Sequence, residues 1–101
     1  MKSINEIDKT KKFINCDFKI DENSFIRIFD ENISNDEFEW HRDANKRFIK
    51  VLYSSNDWKL QFDNSLPITI FQGFECLIEK STYHKLHKGQ GVLVLYVKEI
   101  F

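Results

Sequence analysis

A chain of 101 residues, 42% hydrophobic and 15% aromatic, can close one core that buries roughly two-thirds of its unfolded surface, which excludes a second domain. Acids and bases nearly cancel at a formal net charge of -1, so no global field argues for nucleic acid or an anionic membrane, and a small-molecule or protein partner is expected instead. Ala44 is the sole alanine, whereas Ile, Phe, Val, Tyr and Trp are plentiful, a bias away from helix and towards strand.

The opening segment, MKSINEIDKTKK, is charged and aperiodic, and residues 1–12 are expected to form a mobile arm preceding one domain over 13–101. It lacks the apolar run of a signal peptide, and no stretch reaches membrane-spanning length, which predicts a cytoplasmic protein. From Phe13 onward the chain falls into short strand-forming runs: 13–20, 25–29, 38–42, 48–53, 58–62, 68–71, 74–78 and 92–97. Turn-formers separate them, among them DEN at 21–23, DENISND at 30–36, SSND at 54–57, DNSLP at 63–67 and KGQG at 88–91. Strands at this spacing, with no sustained helical period, predict an all-β sandwich or barrel without any long helix.

Face patterns refine this expectation. Trp58, Leu60 and Phe62 share one side of their strand while Lys59, Gln61 and Asp63 share the other, the alternation of a half-buried strand. In 92–97 both sides are apolar, since Leu93, Leu95 and Val97 face one way only if Val92, Val94 and Tyr96 face the other. Such a strand needs covering twice, and with Phe38 and Trp40 expected to face outward it predicts a homodimer. Cys16 and Cys76 follow no metal or redox spacing and read as reduced, buried thiols. The KRFIKVLY run alternates bases with apolar residues, but it lacks the glycines of an RNA-binding strand.

Two stretches carry chemistry. In GFECLIEKSTYH, Gly73 opens a short strand whose following turn delivers His84; upstream, in EWHRDANKRFIKVLYSS, His41 and Asp43 stand two residues apart, a spacing that puts both on one face of a strand. These stretches resemble the two conserved motifs of the cupin superfamily. Gly73 and His84 hold the glycine and histidine positions of the second motif, with Glu79, Ser81 and Lys88 at its proline, glycine and asparagine positions. In the first, His41 holds the leading histidine, Asp43 the second, Arg47 or Phe48 the glutamate, Asn35 the first glycine and Ser54 or Ser55 the last.

The resemblance implies a cupin-type jelly-roll β-barrel, and many members of the superfamily bind a divalent metal through three histidines and a glutamate. Carried onto this sequence it implies a pocket of His41, Asp43, Arg47, Gln61 and His84, with His41, Asp43 and His84 as ligands of Fe, Mn, Ni or Zn. Arg47 at the glutamate position would place a permanent cation beside that site and pair with Asp43. The expected function is binding of a small polar or anionic ligand beside a degenerate metal site; the alternative is a metal-dependent oxygenase, decarboxylase or isomerase acting on a small acid. His87, in a lysine-rich stretch, is expected to be solvated, and Trp40 to lie outside the pocket.

Overall fold

The last long strand sits in the middle of the larger sheet, and the rest of the architecture is arranged around it. The computed structural model describes residues 16–33 and 36–101, so the expected arm at 1–12 and the glycine-position residue Asn35 lie outside the described residues, as does the side chain of Cys16. In chain order the elements are β1 Cys16–Lys19, β2 Ser24–Asp30, a 3-10 turn Asp36–Phe38, β3 Lys46–Asn56, β4 Lys59–Phe62, β5 Ile68–Thr69, β6 Glu75–Ile78, β7 His84–His87 and β8 Gln90–Ile100. They form a five-stranded sheet ordered β1-β2-β8-β3-β6 and a three-stranded sheet ordered β5-β4-β7. Every strand pairing is antiparallel. Among the described residues no helix is long and apolar enough to cross a membrane.

The core lies between the two sheets. Leu93, Leu95 and Val97 of β8 are buried there with Phe29 of β2, Ile49 and Val51 of β3, and Ile78 of β6, facing Trp58, Leu60, Ile70 and Leu86. Period-two alternation produces this sorting, because residues paired across neighbouring strands share a face: Phe29 opposes Leu93, and Ile49 opposes Val97. The same parity turns Arg27, two residues from Phe29, and Arg47, two residues from Ile49, towards the interior. The opposite parity turns Phe18, Ile26, Ile28, Phe48, Leu77, Val94 and Tyr96 to the outer face of the large sheet, where Phe18 and Leu77 are more than half exposed.

Two sequence expectations need correction here. The run 38–42 is not a strand: Glu39 N bonds Asp36 O at 3.0 Å to close the 3-10 turn, and beyond it only His41 makes a bridge. Phe38 does not face outward, because burial against Phe29 and Trp58, at ring distances of 5.8 and 6.2 Å, draws it to the core. Conversely, the lysine-rich stretch at 84–87 is a strand. Its HKLH alternation is sound, but Leu86 is the one aliphatic residue in it, too weak a signal beside the flanking charges.

The β7–β8 connection passes close over the β3–β4 corner. A Cβ at Gly89 would meet the carbonyl oxygen of Asn56 and the amide nitrogen of Trp58, the latter at 2.6 Å, so backbone itself occupies that space. Gly73 differs, with a φ of +92° and open space around it. Gly89→Ala is therefore expected to cost more than Gly73→Ala, about 1–3 kcal/mol or above from overpacking against about 1–2 kcal/mol for the left-handed backbone, as read from urea midpoints.

Candidate metal centre

His41 and His84 are brought together by their backbones. His41 N donates to His84 O and His84 N to His41 O, both at 3.0 Å, which adds His41 as a one-residue rung to the outer edge of β7. Directly opposed residues of an antiparallel pair point to the same side, and the two imidazoles accordingly stand with ring centroids 4.2 Å apart. Phe62, paired with His84 on β4, closes the apolar side of the site.

Each ring is fixed by a backbone carbonyl two residues away, His41 Nδ1 by Glu39 O at 2.8 Å and His84 Nδ1 by Thr82 O at 2.9 Å. A carbonyl oxygen only accepts, so Nδ1 carries a proton in both rings and Nε2 is the nitrogen that each ring turns inward. Two carboxylates meet these nitrogens. Glu37 Oε1 is 3.0 Å from His41 Nε2, and Asp43 Oδ2 is 3.3 Å from His84 Nε2. The four donor atoms lie within 4.8 Å of one another. Donors about 2.1 Å from a shared cation stand at most about 4.2 Å apart, so closure needs only a small rotamer adjustment.

Two atoms of this cluster are sealed from solvent without a hydrogen bond of good geometry, His41 Nε2 and Asp43 Oδ2. Glu37 is near His41 Nε2 but off its bonding direction, so the contact is an ion pair. A buried imidazole nitrogen and a buried carboxylate oxygen, both lacking an aligned partner and both aimed at one point, fit a divalent cation. The donor set suits it as well, since two imidazoles and two carboxylates are ligands of Fe, Mn and Zn.

Electrostatics agree with the geometry. Burial is the largest effect on His41 and favours its neutral form, but the Glu37 carboxylate, with Asp43 behind it, outweighs burial and holds the imidazole up at about 9. Burial pushes the Glu37 and Asp43 carboxyls up, yet both end below the usual carboxylate range, Glu37 chiefly through His41 and Asp43 through His84 and Arg47. Arg47 pairs with Asp43 at 3.4 Å, as its position in the sequence led us to expect, and also with Glu99 at 2.8 Å and Glu37 at 3.6 Å.

Of the five pocket residues named from sequence, His41, Asp43, Arg47 and His84 converge. Gln61 does not. It pairs with Lys85 across β4 and β7, one residue out of phase with the Phe62–His84 pair, so it faces outward, where Oε1 meets His87 Nε2 at 2.8 Å and Nε2 donates to Ser65 O. His87 is thus held by a neighbour instead of being simply solvated. Glu37 was missed because the motif places its carboxylate after His41. Here the carboxylate comes four residues before it, on the 3-10 turn, in an acid-rich stretch that reads as loop. Asp43 joins His41 by way of a loop, not along a strand. Cys76 is an inert thiol, pushed up to about 11 by burial. The interior cavity beside the cluster, lined by Arg27, Arg47, Glu37, Asp43 and apolar residues of both sheets, measures about 30 Å³. That is room for one or two waters and not for an organic acid.

Comparison with known proteins agrees with this architecture. No protein-family model matches the sequence, and no curated protein is similar to it at sequence level. Solved structures with the same arrangement include a cupin-2 domain protein of Shewanella frigidimarina, 13% identical over 97% of this chain and 93% of that one, with a TM-score of 0.62. An RmlC-like cupin of Methanocaldococcus jannaschii with a double-stranded β-helix fold is 10% identical over 88% of this chain and 83% of that one, TM-score 0.60. HppE in its iron(II) form with substrate is 14% identical over 87% of this chain and 53% of its own, TM-score 0.58. The fold is therefore the cupin-type jelly roll, all-β and built of two sheets.

A pH dependence follows from the proton on His41. A cation at Nε2 displaces that proton, so below about 9 the apparent affinity for a divalent metal should fall as pH falls, by about tenfold per unit, and should level off above it. Competition against a chelator across the neutral to alkaline range measures this. A flat profile would exclude His41 as a ligand.

Proposed function

We propose that this protein is a metal-binding small cupin in which Glu37, His41, Asp43 and His84 hold one divalent cation, Fe, Mn, Ni or Zn. The observation that carries this reading is the convergence of two carbonyl-fixed imidazoles with two buried carboxylates, leaving His41 Nε2 and Asp43 Oδ2 without aligned partners. The Arg47 cation beside Asp43 tempers the affinity without occupying the donor positions, since Glu37 provides the second carboxylate. When bound, the cation would supply a Lewis acid next to an apolar cavity. The Glu37 and His41 side chains are 21% and 18% exposed, against 7% for Asp43 and 3% for His84, so a small polar ligand would reach the site from the Glu37–His41 side and not through the barrel interior. Both guanidiniums are already paired with carboxylates, which favours a ligand held by the metal over an anion held by arginine. The reading supports metal-dependent chemistry on a small molecule in a cytoplasmic, single-domain protein.

Purified protein loaded with Zn2+ or Mn2+ should hold one equivalent by elemental analysis after desalting, and His84→Ala should reduce this to background. Retention of full metal content by His84→Ala would refute the site.

We also propose a homodimer through the outer face of the large sheet. Phe18, Phe48, Leu77, Val94 and Tyr96 present a largely apolar surface, on which Lys50 and Glu75 neutralise one another at 3.5 Å. A face of this apolar character can be covered by a second copy of itself about a two-fold axis, the commonest soluble assembly. Sedimentation should give a dimer at micromolar concentration and a monomer for Phe48→Glu; a wild-type monomer would count against the interface.

A further inference from the structure

The two arginines that share the interior with the metal cluster divide the oxygens of its carboxylates. Arg27 Nη1 stands 3.4 Å from Glu37 Oε2, and Arg47 Nη1 stands 3.6 Å from the same oxygen and 3.4 Å from Asp43 Oδ1. The other oxygens, Glu37 Oε1 and Asp43 Oδ2, are the nearer ones to the two imidazole nitrogens, at 3.0 and 3.3 Å, with Asp43 Oδ1 farther off at 3.7 Å from His41 Nε2.

Neither guanidinium is free to swing. Arg27 is gripped by both oxygens of Asp17 on β1, at 2.9 and 3.0 Å, and Arg47 Nε by Glu99 on β8 at 2.8 Å. The Phe25 ring packs under both, 4.8 Å from Arg27 and 6.0 Å from Arg47. A planar fork fixed at its far end and on its face presents its remaining N–H groups in one direction only.

We infer that Arg27 and Arg47 are positioning residues that set the metal preference of the site, by engaging one oxygen each of Glu37 and Asp43 so that each carboxylate offers a single oxygen to the cation. The inference rests on the metal-site reading above. Two imidazole nitrogens and two single oxygens suit Zn2+, Co2+ or Fe2+, whereas Mn2+ and Ca2+ gain from additional oxygens, including two from one carboxylate. Losing Arg27 removes the nearer of the two guanidiniums on Glu37 Oε2, leaving only Arg47 at 3.6 Å to hold it, and should shift preference towards oxygen-seeking ions.

Absolute affinity is the wrong measure, because deleting a nearby cation strengthens the binding of every divalent ion. Comparing two ions of equal charge cancels that effect. The test is the ratio of Mn2+ to Co2+ dissociation constants, with the visible absorption of the Co2+ form as a second readout of the donor set. Wild type should favour Co2+. Arg27→Met should lower the ratio on the order of tenfold and alter the Co2+ spectrum. Asp17→Asn, which loosens Arg27 without touching the cluster, should move both in the same direction and by less, while the distant Lys50→Met should move neither. If both Arg27→Met and Asp17→Asn bind metal with the wild-type ratio and spectrum, the clamp is overturned and the metal site stands. Wild-type protein that binds neither ion overturns the site itself, and the clamp with it. Should Arg27→Met fail to fold by circular dichroism, Asp17→Asn decides the matter alone.

Discussion

The reciprocal pair of backbone hydrogen bonds between His41 and His84 is the constraint on which the site depends. Neither histidine reaches the other by side-chain flexibility; both are delivered by the main chain, one from the start of β7 and one from a loop that becomes strand-like for a single residue. A bridge of this kind fixes direction as well as distance, because opposed residues must share a face. The flanking carbonyls of Glu39 and Thr82 then settle the tautomer of each ring. Ring placement, ring orientation and the location of the lone pair therefore all follow from backbone geometry, which resists thermal averaging better than a contact between long side chains.

What this backbone assembles is electrostatically incomplete. Two lone pairs and two carboxylates directed at one small volume repel one another unless something positive sits among them. The proton on His41 serves that purpose, and the carboxylates of Glu37 and Asp43 hold that histidine well above its ordinary value despite its burial. Arg27 and Arg47 engage the outer oxygens while the inner ones face the two imidazoles, so the arginines stabilise the carboxylates as anions without filling the centre. On the proposed reading, proton and metal are alternative occupants of one electrostatic well, bounded on its inner side by the apolar side chains Ile49 and Leu95.

Much of the fold was legible in the sequence, because strands of alternating polarity declare themselves: 25–29, 48–53, 58–62, 74–78 and 92–97 all lie in or across observed strands. Legibility failed where tertiary context overrode local pattern. Phe38 reads as part of a strand, yet the aromatic pocket of Phe29 and Trp58 pulls it into a 3-10 turn. The strand at 84–87 has one apolar residue to announce it, and its meaning comes from its neighbour β4. The site was legible in part for the same reason. His41, Asp43 and His84 carry a spacing, as does Arg47, but Glu37 carries none, since its proximity is created by the turn that Phe38 anchors. The phase of Gln61 was legible, opposite Trp58, Leu60 and Phe62, but the pocket lies on the apolar face with Phe62 and His84, so its polar side chain points away from the site.

The placement of β8 between β2 and β3 also shapes how the chain must come together. As residues are added in order, the β1–β2 hairpin and the β3–β6 pair can each form early, but no strand pairing joins them until β8 is made, and until then β2 and β3 each present a bare hydrogen-bonding edge of seven and eleven residues. Closing the sheet means inserting a strand between two partners that lie far back along the chain, a search whose entropy cost is met before any contact rewards it. The large sheet is consequently complete only when the last strand is in place, and so is the candidate site, whose Arg47 is secured by Glu99 on that same strand.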